Sequence, residues 1–152
     1  MAMIIIVPDQ GAFLEIEESL SAGFLKDLIP RLRDENLHLS LPRFSVDCSF
    51  MLEDVLSGMG MPSAFGMWAD FSGMDGERTL YISSIVHQAF VSVDEDGTEA
   101  AAATAVIMEK MNGDSAVEFN VDRPFIYLVI DRISGSVLFM GRIMDPLDGL
   151  PD

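Results

Sequence analysis

The sequence predicts an α+β fold. Three observations carry that prediction. Several runs of four to nine residues have strand character, either unbroken and apolar or alternating with period two. The helical stretches between them are short and closed by proline or glycine. Near the end, two strand-like runs are joined through Ser134-Gly135, the composition of a tight hairpin.

The elements follow in order. Met3 to Val7 is largely β-branched and free of charge, the composition of a strand buried on both faces. Pro8-Asp9-Gln10-Gly11 then reads as a turn. From Ala12 to Ser19, with Leu20 following, Phe13, Ile16 and Leu20 recur at helical spacing. Ser21 suits the N-cap of a second helix carrying Phe24, Leu25, Leu28 and Ile29, which Pro30 should end. Leu37, Leu39 and Leu41 alternate with His38 and Ser40, predicting a strand that Pro42 interrupts, and Phe44 to Cys48 resumes the pattern. Met51 to Ser57 predicts a short amphipathic helix stopped by Gly58 and Gly60, and Pro62 to Glu77 a loop. Ile85 to Val93 is the longest strand signal, with two mostly apolar faces, which predicts a central position in a sheet. Phe125 to Ile130 and Val137 to Ile143 complete the set.

Length and charge narrow the function classes. At 152 residues with 49% hydrophobic composition, one core-forming unit is expected over 1–152. A formal charge of −16 opposes phosphate backbones and anionic membrane surfaces, so neither nucleic acid nor membrane is an expected partner. The single cysteine, Cys48, has no disulfide partner within the chain, and His38 and His87 lack ligands at metal-binding spacing, so no metal or cofactor is expected. Met1 to Val7 is too short for a signal-peptide core and lacks a basic start, and no stretch approaches the roughly 20 apolar residues of a membrane-spanning helix. Ser/His/Asp arrangements, phosphate-cradling glycine loops and paired carboxylates are absent from the sequence pattern, which gives an enzyme reading no support.

Residues 97–117 carry no clean element signal. The alanine run Ala100 to Ala103 favours a helix on propensity. Read as extended backbone, the same segment sets Thr98, Ala100, Ala102, Thr104, Val106 and Met108 on one face, with Glu99 and Glu109 on the other. A small uncharged face of that kind is suited to burial in a sheet.

At this point the residues resemble those of a known family. Phe119-Asn120-Val121-Asp122-Arg123-Pro124-Phe125-Ile126-Tyr127-Leu128-Val129 is similar to the signature of the serpins, and Gly135 to Gly141 to their closing strand. Glu95-Asp96-Gly97-Thr98-Glu99-Ala100-Ala101-Ala102-Ala103 resembles the hinge of an inhibitory serpin. Leu39 to Phe44, Leu52 to Leu56, Ala69 to Gly73 and Val86 to Ala89 resemble further landmarks in matching order. The resemblance implies the C-terminal part of a serpin, with mixed and antiparallel sheets, short helices and an exposed reactive-centre loop over about 97–117. It implies an inhibitor of serine proteases, not an enzyme. A protease attacks the loop, and the cut loop inserts into a sheet before the acyl-enzyme hydrolyses. The missing N-terminal half of a serpin is then an expected partner, as is a serine protease with an apolar primary pocket. A non-inhibitory binding or structural fragment is the alternative. An extracellular location follows from the family only.

The same resemblance assigns site residues. The usual loop length places the reactive bond at Met111-Asn112, with Lys110 the runner-up. The hinge comprises Glu95, Gly97, Thr98, Ala100, Ala102 and Thr104. Arg43 and His87 map to the region where the sheet opens, and Arg43 is expected near Glu95. On the residues alone, His87 reads as a hydrogen-bonded core histidine on an apolar face, and Arg43 with Glu95 as an exposed surface pair. Trp68 fits a core position equally well.

Overall fold

The computed structural model describes residues 1–94, 97, 98 and 116–146. The chain divides into two compact units, the first holding the described residues up to 43 and from 116 onward, the second those between.

In the first unit, β1 (Ala2–Ile6), β7 (Phe125–Ile130) and β8 (Val137–Ile143) form an antiparallel sheet in the order β1-β7-β8. The central strand β7 is buried at all six positions, with Phe125 and Leu128 fully enclosed. Its unbroken Phe-Ile-Tyr-Leu-Val-Ile composition suits that position, since neither face meets water. Ile126, Leu128 and Ile130 pack with Ile4 of β1 and with Phe13, the buried residue of α1 (Phe13–Ser19). Ile16, Leu20, Leu25 and Ile29 extend this cluster, so α1 and α2 (Ala22–Leu28) cover one face of the sheet. On the other face, Tyr127 lies over Gly141, its partner in register, so closely that a Cβ at 141 would collide with the phenol ring. Glycine is what lets the ring lie there.

The expected cap of α2 is present, with the Phe24 N–H donating to Ser21 Oγ at 3.1 Å. One expectation changes. Among the described residues β1 pairs with β7 alone and is mostly half-buried, an edge strand whose Ile4 and Ile6 join the cluster with the helices. α2 stops at Leu28, ahead of Pro30 as expected, and Pro30 sits in a 3-10 turn over Ile29–Arg31 that follows it. The hairpin falls where Ser134-Gly135 predicts it. Gly135 has φ +72, and Asp131 accepts hydrogen bonds from the backbone N–H groups of Ile133 and Ser134 and from the Ser134 hydroxyl.

In the second unit, β3 (Phe44–Met51) pairs antiparallel with β4 (Val86–Asp94) along eight residue pairs, from Phe44 opposite Val93 to Met51 opposite Val86. α3 (Glu53–Gly58) follows β3, and the Ile85 N–H donates to Glu53 Oε1 at 3.0 Å, tying the helix start to the base of β4. That bond, with the Ser84 hydroxyl and the helix's own backbone, holds the Glu53 carboxyl below the usual range; its own backbone N–H is the main cause. The expected loop from Pro62 to Glu77 contains a 3-10 turn, Pro62–Phe65, and a one-turn helix, α4 (Ser72–Asp75), both too short to leave a periodic signal. Trp68 is 88% exposed and so is not part of a core.

Candidate functional site

The strand β4 is where the predicted hinge meets structure. Gly97 and Thr98 form β5, which pairs antiparallel with β4 on the edge opposite β3, Thr98 facing Val93 and Gly97 facing Asp94. β4 is therefore central only at its end, as its remaining residues have β3 on one side and no strand on the other among the described residues. Burial follows the same gradient. Along one face His87 is exposed, Ala89 half-buried, and Val91 and Val93 are 7% and 8% exposed. Residues 91 and 93 share one face of the strand, and residues directly opposite in a ladder share that face. Thr98 is therefore in register with Val93, a buried residue of β4.

His87 stands opposite Phe50 near the far end of β4 and is exposed. The expectation of a core histidine fails for a physical reason: an apolar strand face is buried only if another layer covers it, and among the described residues Phe50 beside it is itself 53% exposed. Arg43 immediately precedes β3, whose first residue pairs with Val93. Glu95, Ala100, Ala102, Thr104, Lys110, Met111 and Asn112 lie outside the described residues.

The chain is described again from Ala116, and β6 (Val117–Asn120) pairs in parallel with β2 (Leu37–Ser40), Leu37 opposite Val117 through Ser40 opposite Asn120. Flanking bonds extend the pairing, from Val117 N–H to the Asn36 carbonyl and from Val121 N–H to the Ser40 carbonyl, both at 2.9 Å. Val121 is then 3% exposed, and Arg123 Nε donates to the Pro8 carbonyl at 3.1 Å. The segment 119–129 thus has a continuous structural purpose: it ends a short strand, buries Val121, clamps the turn after β1 and becomes the central strand β7. Val117-Glu118-Phe119-Asn120 alternates apolar with polar, so the signal for β6 was present in the sequence but only four residues long. Beside the clamp, Pro8 to Gly11, Phe13 and Asp122 to Pro124 line an open recess of about 450 Å³.

The described residues bring together no group of three or more His, Cys, Asp or Glu side chains suited to a metal ion. Cys48 lies on β3 with its Sγ 3.6 Å from the Ala89 carbonyl. What the geometry offers is a strand edge to which Gly97 and Thr98 are paired, and, in the other unit, a parallel strand pair of β2 and β6.

The comparisons identify the family. The sequence model described as Serpin (serine protease inhibitor) matches residues 1–146, and the chain belongs to that family. An uncharacterised serpin-like protein of Thermococcus kodakarensis is 43% identical over 152 residues, 98% of this chain and 35% of its own length. A leukocyte elastase inhibitor of Xenopus laevis is 37% identical, covering 96% of this chain and 40% of the relative. Among solved structures, a thyroxine-binding globulin in complex with thyroxine superposes with a TM-score of 0.79 at 30% identity, covering 95% of this chain and 38% of that one. The chain therefore spans between a third and two fifths of the length of these relatives.

Proposed function

We propose that this chain supplies the reactive-centre loop and one flanking strand of a serine protease inhibitor of the suicide-substrate type. The observation that carries this reading is the β4–β5 pairing. Continued in the same register, the loop would set Ala100 opposite Val91, Ala102 opposite Ala89 and Thr104 opposite His87. The small even-numbered residues of the hinge would then share the face on which Val91 and Val93 are already buried, so no bulky or charged group would obstruct entry. Each backbone hydrogen bond gained nets roughly 0.5–1.5 kcal/mol. Insertion along the open edge is thus favourable and cumulative, which is the driving force needed to distort an acylated protease before deacylation.

The protease would attack Met111-Asn112, with Lys110 the alternative residue before the cut bond; methionine there suits an elastase-like or chymotrypsin-like apolar pocket. Arg43 and Glu95 would pair at the loop's point of entry, and His87 would receive Thr104 as insertion reaches it. The remainder of a serpin, with the second wall of the insertion slot, is the partner that completes the trap. Without that wall, the chain incubated with an elastase-like protease yields cleaved chain and free protease on a denaturing gel. Supplying an N-terminal half from a relative yields a covalent complex. Mass spectrometry locates the cut. Cleavage confined to residues before Val106, or a covalent complex formed by the 152 residues alone, overturns the reading.

A second reading, a non-inhibitory binding protein, is favoured by the thyroxine-binding relative with the same fold. Its ligand would be sought first in the recess beside Arg123. The hinge separates the two readings, because Thr98→Arg abolishes trapping under the first and leaves ligand binding unchanged under the second.

A further inference from the structure

Between the 3-10 turn and α4 the chain reverses in a tight turn, Gly66 to Ala69, closed by the Ala69 N–H donating to the Gly66 carbonyl at 3.0 Å. Ala69 is 6% exposed and anchors the turn from below, while its two corner residues, Met67 and Trp68, are 91% and 88% exposed. The next residue, Asp70, accepts from the Ser72 hydroxyl at 2.6 Å and pairs with Arg78 at 2.8 Å, which fixes the exit of the turn. Met59 and Met74, on either side in sequence, are 78% and 79% exposed.

Scattered exposed apolar residues are ordinary on a protein surface. A tryptophan next to a methionine at the corners of a hydrogen-bonded turn is different, because the backbone that presents both side chains is already held and need not be ordered on binding. Methionine adapts its shape to an uneven apolar partner. The charge of the flanking sequence selects that partner. From Met51 to Leu80 the chain carries five carboxylates, Glu53, Asp54, Asp70, Asp75 and Glu77, and one cation, Arg78, which is engaged by Asp70. A second copy of this chain, at −16, or an anionic membrane would meet the turn with like charge. A basic amphipathic segment would meet it with complementary charge around an apolar face.

We propose that the Gly66–Ala69 turn is a docking knob for a basic amphipathic helix of a partner protein, with Trp68 and Met67 as the apolar anchors. This site is independent of the loop and of any protease. Trp68 is the only tryptophan, so its emission reports on the turn directly. The protein alone should emit as a water-exposed indole quenched more strongly by caesium than by iodide. A synthetic amphipathic lysine/leucine helix should shift the emission to the blue, saturably and less at high salt. A glutamate/leucine helix of the same length should not. Met67→Ser retains the reporter and should weaken the lysine/leucine complex about tenfold, while Met140→Ser on β8 should leave it unchanged. Blue emission from the protein alone, an equal response to both peptides, or full binding by the Met67→Ser variant overturns the proposal. So does a shift produced by phosphatidylcholine vesicles or by raising the protein concentration, without one from the basic peptide.

Discussion

The strands β7 and β4 are both at least six residues long and both flanked by strands, yet among the described residues β7 is paired on both edges along its length and β4 on its second edge at one end only. β7 has a full partner on each edge and is buried along its length. Among the described residues β4 has a full partner on one edge, two residues of partner on the other, and mostly exposed side chains over its first half. Under the proposed function the contrast is a division of labour, with the fully paired strand a fixed anchor and the partly paired one an acceptor for more chain.

The largest effect expected from that contrast is on stability. Leu128→Ala removes a fully buried side chain from β7 and should cost about 2–5 kcal/mol in chemical denaturation. Phe50→Ala, opposite His87 on β3, removes a larger side chain that is half in water and should cost well under that. Equal losses from the two substitutions would show that β3 and β4 are as sealed as β7, and the division of labour would fail.

A smaller effect tests how tightly β7 is held. Gly141→Ala places a methyl group against the Tyr127 ring and should cost about 1–3 kcal/mol through overpacking. Adding Tyr127→Leu to Gly141→Ala should recover part of that loss, because the colliding ring is gone. A double variant no better than the sum of its parts would mean that the strain lies in the backbone of β8 and not at this contact.

Much of the sealed region was legible in the sequence because its signals are local. The Phe125–Ile130 run, the serine cap of α2 and the Ser134-Gly135 turn each state their structure within a few residues. The isoleucines of β1 did not reveal that the strand is an edge, since burial on one face or two depends on neighbours distant in sequence. The same limit explains His87: an apolar face signals that cover is needed without showing that cover exists. β6 carries the alternation Val117-Glu118-Phe119-Asn120, but four residues are too few to set it apart from a loop without its parallel partner β2. At the candidate site, the small-residue face of the hinge was legible from period two. Where that face would meet β4 depends on the register, which no single strand encodes and which the described residues give only at Gly97 and Thr98.

The smallest effect sits at the hairpin that joins β7 to β8. The Asp131 carboxyl accepts from the Ser134 hydroxyl, the Ser134 N–H and the Ile133 N–H, and these bonds, the hydroxyl's first, hold its pKa below the ordinary 3.8. A carboxyl depressed in the folded state contributes stability that is present above its unfolded pKa and lost as pH falls through the folded one. Acidification from about pH 5 to about pH 2 should therefore loosen the turn, seen as lower amide protection at Ile133 and Ser134 relative to the unstructured exchange rate at each pH, while the central residues of β7 remain protected. Asp131→Asn should be looser than the parent at neutral pH and flat across the same range, because the amide has no proton to gain there. If the parent and the Asn variant show the same pH dependence at these amides, the loosening belongs to another carboxylate. If β7 opens together with the turn, the hairpin and the sealed strand are one cooperative unit, and the anchor extends to the tip of the loop.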